Sequence, residues 1–356
     1  MDKSNFAPRS MVVTPHHLAS QSAITILQDG GTAMEAMVAA AATISVVYPH
    51  MAGIGGDGFW LIIPPNGDPI GIEGCGALYN LPPPTQGLVS LSVLGMLNYH
   101  KIDGKDDTKF IHYTVEATKL AFELRDKYIT DPKDMKVYIP GLLSEIPLLA
   151  SRIHPDTASD VGNGKGPGDT VWMGIIDKRG FCVSYIQSLY YEFGSGVYLP
   201  KTGILWHNRG ISFSLNKNSI VALKPGRKPF HTLNPAAAKL SDGRTMVYGT
   251  RGGDGQAQTQ AAIFHRYAVQ GMSLQAAISA PRWLYGSKTG RQDNTLKLEG
   301  RFCENTVKEL KKKGHKVEVL DDFTVEVGVA GALVRHCDGM LEGAFDPRGH
   351  GSAVGF

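Results

Sequence analysis

The apolar residues of this chain follow two rhythms, and the change between them falls near residue 170. In the first part they recur at helical spacing. Thr14 and Pro15 supply a cap and a first-turn proline for a helix that Gly30-Gly31 terminates, and Thr32 then caps a second, Ala-rich helix ending near Pro49. That second helix is apolar on all sides, which predicts burial. Residues 85 to 101 and 111 to 127 repeat the helical spacing, and Leu143 to Ile153 adds another helix. Between these blocks, Gly58 to Ile63 and Pro69 to Glu73 flank Pro64-Pro65-Asn66-Gly67-Asp68, the pattern of a β-hairpin with a longer turn.

In the second part strands dominate. Val171 to Asp177, the turn Lys178-Arg179-Gly180, and Phe181 to Ser188 read as strand, tight turn and strand. Further strands are predicted at Thr245 to Gly249, Leu296 to Glu299, Lys316 to Leu320, Gly328 to Arg335 and Met340 to Phe345, with helices at 256 to 268, 273 to 280 and 304 to 313. Strand pairs with interposed helices fit two stacked sheets covered by helices on both outer faces, an α+β arrangement. No internal repeat or low-complexity linker interrupts it.

Composition narrows the function classes. At 356 residues, with 42% hydrophobic and 19% charged positions, the chain reads as soluble and globular. A net charge of +3 gives no reason to invoke nucleic acid or an anionic membrane, and Lys311-Lys312-Lys313 reads as a solvated helix end. Cys75, Cys182, Cys303 and Cys337 form no CxxC or Cys/His ligand spacing and fit reduced core thiols; no metal or organic cofactor is implied. The N-terminal residues lack the apolar run of a signal peptide, and Ala36 to Tyr48 is too short to span a bilayer, so the expected location is cytoplasmic.

Two local features carry candidate chemistry. Gly168-Asp169-Thr170 opens a strand. If the chain were cut between Asp169 and Thr170, the new N-terminus would carry a hydroxyl nucleophile and an α-amine titrating near pH ~7.7 to 8 on one residue. The same hydroxyl could make that cut by attacking the Asp169 carbonyl. Read locally and without the other segments, Thr170 is a β-branched residue starting a strand. The second feature is Gly249-Thr250-Arg251-Gly252-Gly253-Asp254-Gly255, which follows a strand and precedes a helix, so its backbone NH groups can converge on an anion. Its spacing does not fit dinucleotide binding. Ile54-Gly55-Gly56-Asp57-Gly58 leads into a strand and reads as a structural turn.

Taken in order, a set of segments resembles the γ-glutamyltranspeptidase family of N-terminal nucleophile hydrolases. They are Thr14 to Ser20, Gly30 to Ala36, Ile54 to Phe59, Gly168-Asp169-Thr170, Phe193 to Gly196, Thr202 to Ile204, Leu233 to Pro235, Gly249 to Gly253 and Asp346 to Arg348. The resemblance implies a four-layer αββα sandwich. It also implies a precursor divided into a large-subunit portion, 1–169, and a small subunit, 170–356, within one intertwined domain, and it allows a dimer of heterodimers. Thr170 would be the nucleophile, Ser188 its supporting hydroxyl, and Gly252 and Gly253 the oxyanion donors. In that family a long, mostly helical part lies between the counterparts of Gly74–Ala77 and Leu78–Pro84. Here those stretches abut, so the resemblance implies a further segment after Ala77, and smaller ones near Gly162 to Gly168.

The pocket that the resemblance implies departs from the transpeptidase pattern. Tyr190 stands where the family usually has asparagine, Arg209 replaces an amide or acidic residue, Ser212 replaces the acidic residue that holds the glutamate ammonium, and His231-Thr232 replace two serines. Glu73 falls near the expected carboxylate-binding arginine. Without its carboxylate partner an ammonium group loses a charge-assisted bond. What remains is a cationic, hydrogen-bonding pocket in which Arg209 could grip a small carboxylate, with Tyr190, His231 and Thr232 as donors. Arg209 as a structural ion pair and His231 as a satisfied buried histidine stay open. These substitutions resemble the oxamate amidohydrolase branch of the family, which implies hydrolysis of oxamate to oxalate and ammonia in purine-nitrogen catabolism. A γ-glutamyltransferase or glutathione hydrolase, and an uncleaved binding protein on the same fold, are the competing readings.

Overall fold

The computed structural model describes residues 3–69, 78–161, 168–286 and 293–356. The first half runs β1 (Asn5–Ala7), β2 (Met11–Thr14), α1 (His17–Gln28), α2 (Ala33–Val47), β3 (Asp57–Ile63), β4 (Leu78–Tyr79), α3 (Gly87–Tyr99), α4 (Asp107–Tyr128), α5 (Ile139–Ser144) and α6 (Ile146–Ala150). The second half runs β5 (Asp169–Ile176), β6 (Cys182–Tyr190), β7 (Tyr198–Leu199), β8 (Ile204–Leu205), β9 (Ala236–Lys239), β10 (Thr245–Thr250), α7 (Gly255–Phe264) and α8 (Leu274–Ser279). It closes with β11 (Trp283–Tyr285), β12 (Thr295–Glu299), α9 (Glu304–Lys312), β13 (Lys316–Leu320), β14 (Ala330–Arg335), β15 (Leu341–Phe345) and β16 (Ser352–Gly355).

Two sheets form the centre, a five-stranded one ordered β16-β2-β5-β6-β3 and a six-stranded one ordered β1-β15-β14-β10-β9-β4. Alternation along β5 shows why they stack. Val171, Met173 and Ile175 point to α1 and α2, where Ala23, Ala36, Met37 and Ile44 meet them. Trp172 and Ile176 point the other way and join Val247 and Leu333 of the six-stranded sheet. The far face of that sheet, with Met246, Tyr248 and Val334, is covered by Ile263, Leu274 and Ile278 of α7 and α8. The expected α+β, four-layer αββα order is therefore present. Beyond α7, the helices α3 and α4 pack together with the β11-β12-β13 sheet around Phe110, Phe122 and Trp283.

Several local expectations need correction. Thr14 is not a helix cap but the end of β2; its hydroxyl bonds the His16 carbonyl at 2.7 Å and Ser20 Oγ at 2.8 Å, and His16 caps α1 through Nδ1. Thr32 does cap α2, in a reciprocal box with Glu35, and Asp177 Oδ2 accepts the Ala33 N–H at 2.9 Å. However, α2 is not buried all round, because it lies on an outer layer with Val38 and Val46 facing out at 59% and 78% exposure. In place of one helix over 143 to 153 there are two short ones, Ile139–Ser144 and Ile146–Ala150, since Pro147 cannot donate into a continuous ladder. Of the thiols, Cys182 is a core residue whereas Cys303 and Cys337 are exposed. The second strand of the hairpin expected at 69 to 73, and Cys75 with it, lies outside the described residues.

No helix among the described residues is long and apolar enough to cross a membrane. Burial also sets an acid sensitivity. His231 and His315 are each held down to about 3 by burial, and burial lowers His112 as well. His231 and His315 are neutral in the folded chain above about pH 3 but take up a proton near pH 6.5 when unfolded, and His112 is shifted in the same sense. Unfolding therefore binds protons between these values, and stability falls as the pH drops below about 6.5. The urea midpoint is expected to be lower at pH 5 than at pH 7.5; an unchanged or higher midpoint at pH 5 contradicts this.

Candidate active site

Thr170 heads the regular part of β5 and is fully buried. A bulge between Asp169 and Thr170 leaves Thr170 paired with Ser188, and Ser188 in turn pairs with Asp57 of β3. The three side chains thus lie in one row at one end of β5, β6 and β3, on the side of Trp172, because opposed residues share a face. Thr170 Oγ donates to Ser188 Oγ at 3.2 Å, and Ser188 Oγ also accepts the Tyr190 N–H at 2.8 Å. In the continuous chain the Thr170 nitrogen is a peptide amide with no basic lone pair. A cut before Thr170 is what would turn it into an amine.

Tyr190 follows the bulge with φ of +81°, a left-handed conformation that asparagine tolerates and tyrosine adopts only under strain of about 1–3 kcal/mol. The tyrosine ring lies under the Arg209 guanidinium, 4.0 Å from its Cζ.

Arg209 starts a short 3-10 turn whose loop is tied down by His207 N to the Gly55 carbonyl, Asn208 N to the Leu189 carbonyl, and Tyr191 N to Asn208 Oδ1. Its side chain is 1% exposed. Nε donates to Asp57 Oδ2 at 2.8 Å, while Nη1 and Nη2 are buried with no partner among the described residues. Asp57, read from sequence as part of a structural turn, therefore holds the arginine. A lone acid in a Gly-rich turn gave no sign of a partner 152 residues away.

His231 Nδ1 lies 3.9 Å from the same Asp57 Oδ2, with its ring edge-on to Phe59. Burial, and after it the neighbouring Arg209 charge, hold the imidazole neutral. Its backbone is fixed by the Pro84–Gln86 segment, through His231 N to the Pro84 carbonyl and Gln86 N to the His231 carbonyl. Thr232 Oγ1 is buried, with no hydrogen-bond partner among the described residues.

The Gly-rich turn approaches from the six-stranded sheet. Gly252 and Gly253 have φ of +120° and +53°, values that let the backbone turn its groups inward. Gln86 Nε2 clamps this turn to the pocket by donating to both the Gly253 carbonyl, at 2.9 Å, and the Thr232 carbonyl, at 2.8 Å. Arg125 Nη1 donates to Asp254 Oδ1 at 2.7 Å inside the same wall. Sequence reading missed Gln86 and Arg125; one follows a proline run and the other is an ordinary residue within a helical repeat.

The predicted residues are joined by these contacts but divide between two cavities. Tyr190, Ser212, Thr232, Arg125 and Asp254 line a cavity of about 390 Å³, and Thr170 lines a smaller one of about 120 Å³ with Arg251 and Tyr48. Glu73 lies outside the described residues. A separate buried group, His112, Glu116 and His315, has ligand-type atoms within 4.8 Å of one another. Lys119 Nζ already sits 2.7 Å from Glu116 Oε1, and the two rings bond each other at 2.9 Å, so the group is satisfied as a structural cluster.

An αββα sandwich with a threonine heading a central strand is the architecture of the N-terminal nucleophile hydrolases. Its overall shape matches the crystal structure of cephalosporin acylase from Bacillus halodurans, with a TM-score of 0.86 at 23% identity over 100% of this chain and 97% of that one. The sequence model of gamma-glutamyltranspeptidase matches residues 19–77 and 74–356, and the chain belongs to that family of hydrolases acting on carbon–nitrogen bonds. Among its relatives, the oxamate amidohydrolase proenzyme of Klebsiella pneumoniae subsp. pneumoniae is 40% identical, with 100% of both chains covered. The glutathione hydrolase-like YwrD proenzyme of Bacillus subtilis is 29% identical, again with 100% of both covered.

Proposed function

We propose that this chain is the precursor of a threonine amidohydrolase that cuts itself between Asp169 and Thr170 and then hydrolyses a small carboxylate-bearing amide, oxamate to oxalate and ammonia. The observation that carries the substrate reading is Arg209, whose two terminal nitrogens are buried beside Tyr190 without partners among the described residues while Nε is held by Asp57. A planar fork held in this way suits a carboxylate, and two guanidinium donors unmet among the described residues are costly to bury without an anion. The 40% identical oxamate amidohydrolase proenzyme supports the same substrate class.

In this reading the freed Thr170 amine takes the hydroxyl proton as Oγ attacks the amide carbon. Gly252 and Gly253 hold the developing oxyanion with backbone N–H groups. The nitrogen leaves as ammonia with the proton returned by the amine, and an acyl ester remains on Thr170. Water then adds to the ester, releasing the dicarboxylate and restoring the hydroxyl. Ser188 positions Thr170 Oγ, and Tyr190, neutral His231 and Thr232 surround the carboxylate. Large and small subunits from one precursor follow from the cut. A further segment between Ala77 and Leu78 is supported by the split of the family match at that point and by an alignment of 528 residues to the oxamate amidohydrolase proenzyme.

The test is denaturing mass spectrometry with N-terminal sequencing, followed by ammonia release from oxamate and turnover of a γ-glutamyl anilide. A fragment beginning Thr170-Val171-Trp172 and preference for oxamate are expected. A cut chain that prefers the anilide would make it a γ-glutamyl enzyme, and a chain that never cuts would remove the nucleophile assignment.

A further inference from the structure

We infer that Gly168 is a positioning residue for the self-cleavage step, kept free of a side chain so that the peptide before the nucleophile can lie against the Gly252-Gly253 turn. The inference rests on the self-cleaving reading above. A Cβ built on Gly168 would stand 2.8 Å from Gly253 Cα and 3.0 Å from Gly253 N, with Thr232 Oγ1 next at 3.7 Å. The first two neighbours are backbone, and no rotamer change moves them.

That backbone is also poorly placed to yield. Gly253 sits at a φ of +53° behind Gly252 at +120°. Its carbonyl accepts from Gln86 Nε2 at 2.9 Å and from Gln256 N at 3.1 Å, and the following Asp254 is held by Arg125 at 2.7 Å. A methyl group at residue 168 must therefore push the peptide away from the turn, carrying the Asp169–Thr170 bond with it. Near-attack geometry tolerates little displacement of this kind.

The chemistry gives the glycine a role limited in time. In the cut, Thr170 Oγ adds to the Asp169 carbonyl carbon, the C–N bond breaks, and the nitrogen takes the hydroxyl proton to become the free amine. Water then opens the resulting ester, leaving a carboxylic acid on Asp169 and the hydroxyl on Thr170. Afterwards residue 168 belongs to a chain end that no longer has to lie on Gly253. The substitution should therefore impair the cut and spare later turnover.

The experiment follows the full chain carrying Gly168→Ala beside the unaltered chain, reading the cut fraction over time by mass spectrometry and ammonia release from oxamate per free Thr170 N-terminus. Folding is compared by thermal midpoint in a Thr170→Ala background, where both chains stay whole. The expected result is cleavage slowed about 10- to 100-fold, in line with the cost of overpacking a tight site. Turnover per cut molecule should stay within about 2-fold of the unaltered chain. Cleavage at the ordinary rate overturns the inference. So does an equal loss in turnover per cut molecule, or loss of the fold, since either would make Gly168 a general structural residue. If the unaltered chain itself never cuts, the proposed function fails; if it cuts and Gly168→Ala cuts equally fast, only the role of Gly168 is lost.

Discussion

Replacing Thr170 by alanine is expected to leave one uncut polypeptide with turnover reduced about 10⁶-fold or to background, the scale seen when a covalent nucleophile is removed. In the proposed mechanism a single hydroxyl acts twice, first on the Asp169 carbonyl and then on the substrate amide. No neighbour can replace it. Ser188 Oγ, 3.2 Å away, lies on an adjacent strand whose backbone runs on through the pair, so it cannot acquire a free amine at its own residue. Thr170→Ser keeps the hydroxyl and should cut slowly, which separates loss of chemistry from loss of fold. Mass spectrometry of both variants, with ammonia release, checks this, and cleavage persisting in Thr170→Ala would refute the mechanism.

The second large effect concerns Arg209. Arg209→Ala should raise the KM for carboxylate-bearing amides by about 100-fold or more, because charge-assisted hydrogen bonds contribute roughly 1.5–3 kcal/mol each and the fork offers two. A neutral amide of the same size should change by less than about 3-fold. The alanine also strands Asp57, whose Oδ2 sits 2.8 Å from Nε. Arg209→Lys is therefore the needed companion, since it keeps a cation for Asp57 while removing the planar fork. An equal rise for charged and neutral amides in both variants would mean that the arginine only holds the pocket together.

Much of the layered fold was legible because its signals are local. Alternation along Val171 to Ile176, the capping pair Thr32 and Glu35, and the glycines at 252 and 253 each announce themselves within a few residues. The edges of legibility are physical. β2 is a four-residue strand buried on both faces, so Met11 to Thr14 shows no alternation, and its partners Ile176 and Ser352 lie far along the chain. The exposed side of α2 could not be read from composition, since valine at 38 and 46 looks the same whether it meets core or solvent.

The site divides in the same way. Thr170 and the glycine pair stood out by residue type and order, and the pocket group Tyr190, Arg209, His231 and Thr232 by departure from a familiar pattern. Asp57, Gln86 and Arg125 did not. Their roles exist only through contacts such as Arg209 to Asp57 and Gln86 to Gly253, which no local periodicity records.

The order of strands in the two sheets bears on how the molecule ages. β2 and β3 precede Thr170, yet β5 and β6 lie between them, while β1 and β4 close both edges of a sheet otherwise made from later residues. A molecule nicked before Thr170 would keep its shape, since each piece is threaded through the other's hydrogen-bond ladders. Its connectivity, however, would be gone. Once melted, the two pieces would drift apart, and regaining the native state would require two chains to meet rather than one to fold. Assembly would thus be a single-use event: the enzyme would be made from one chain, and its working lifetime would be set by how slowly the interleaved sheets come undone.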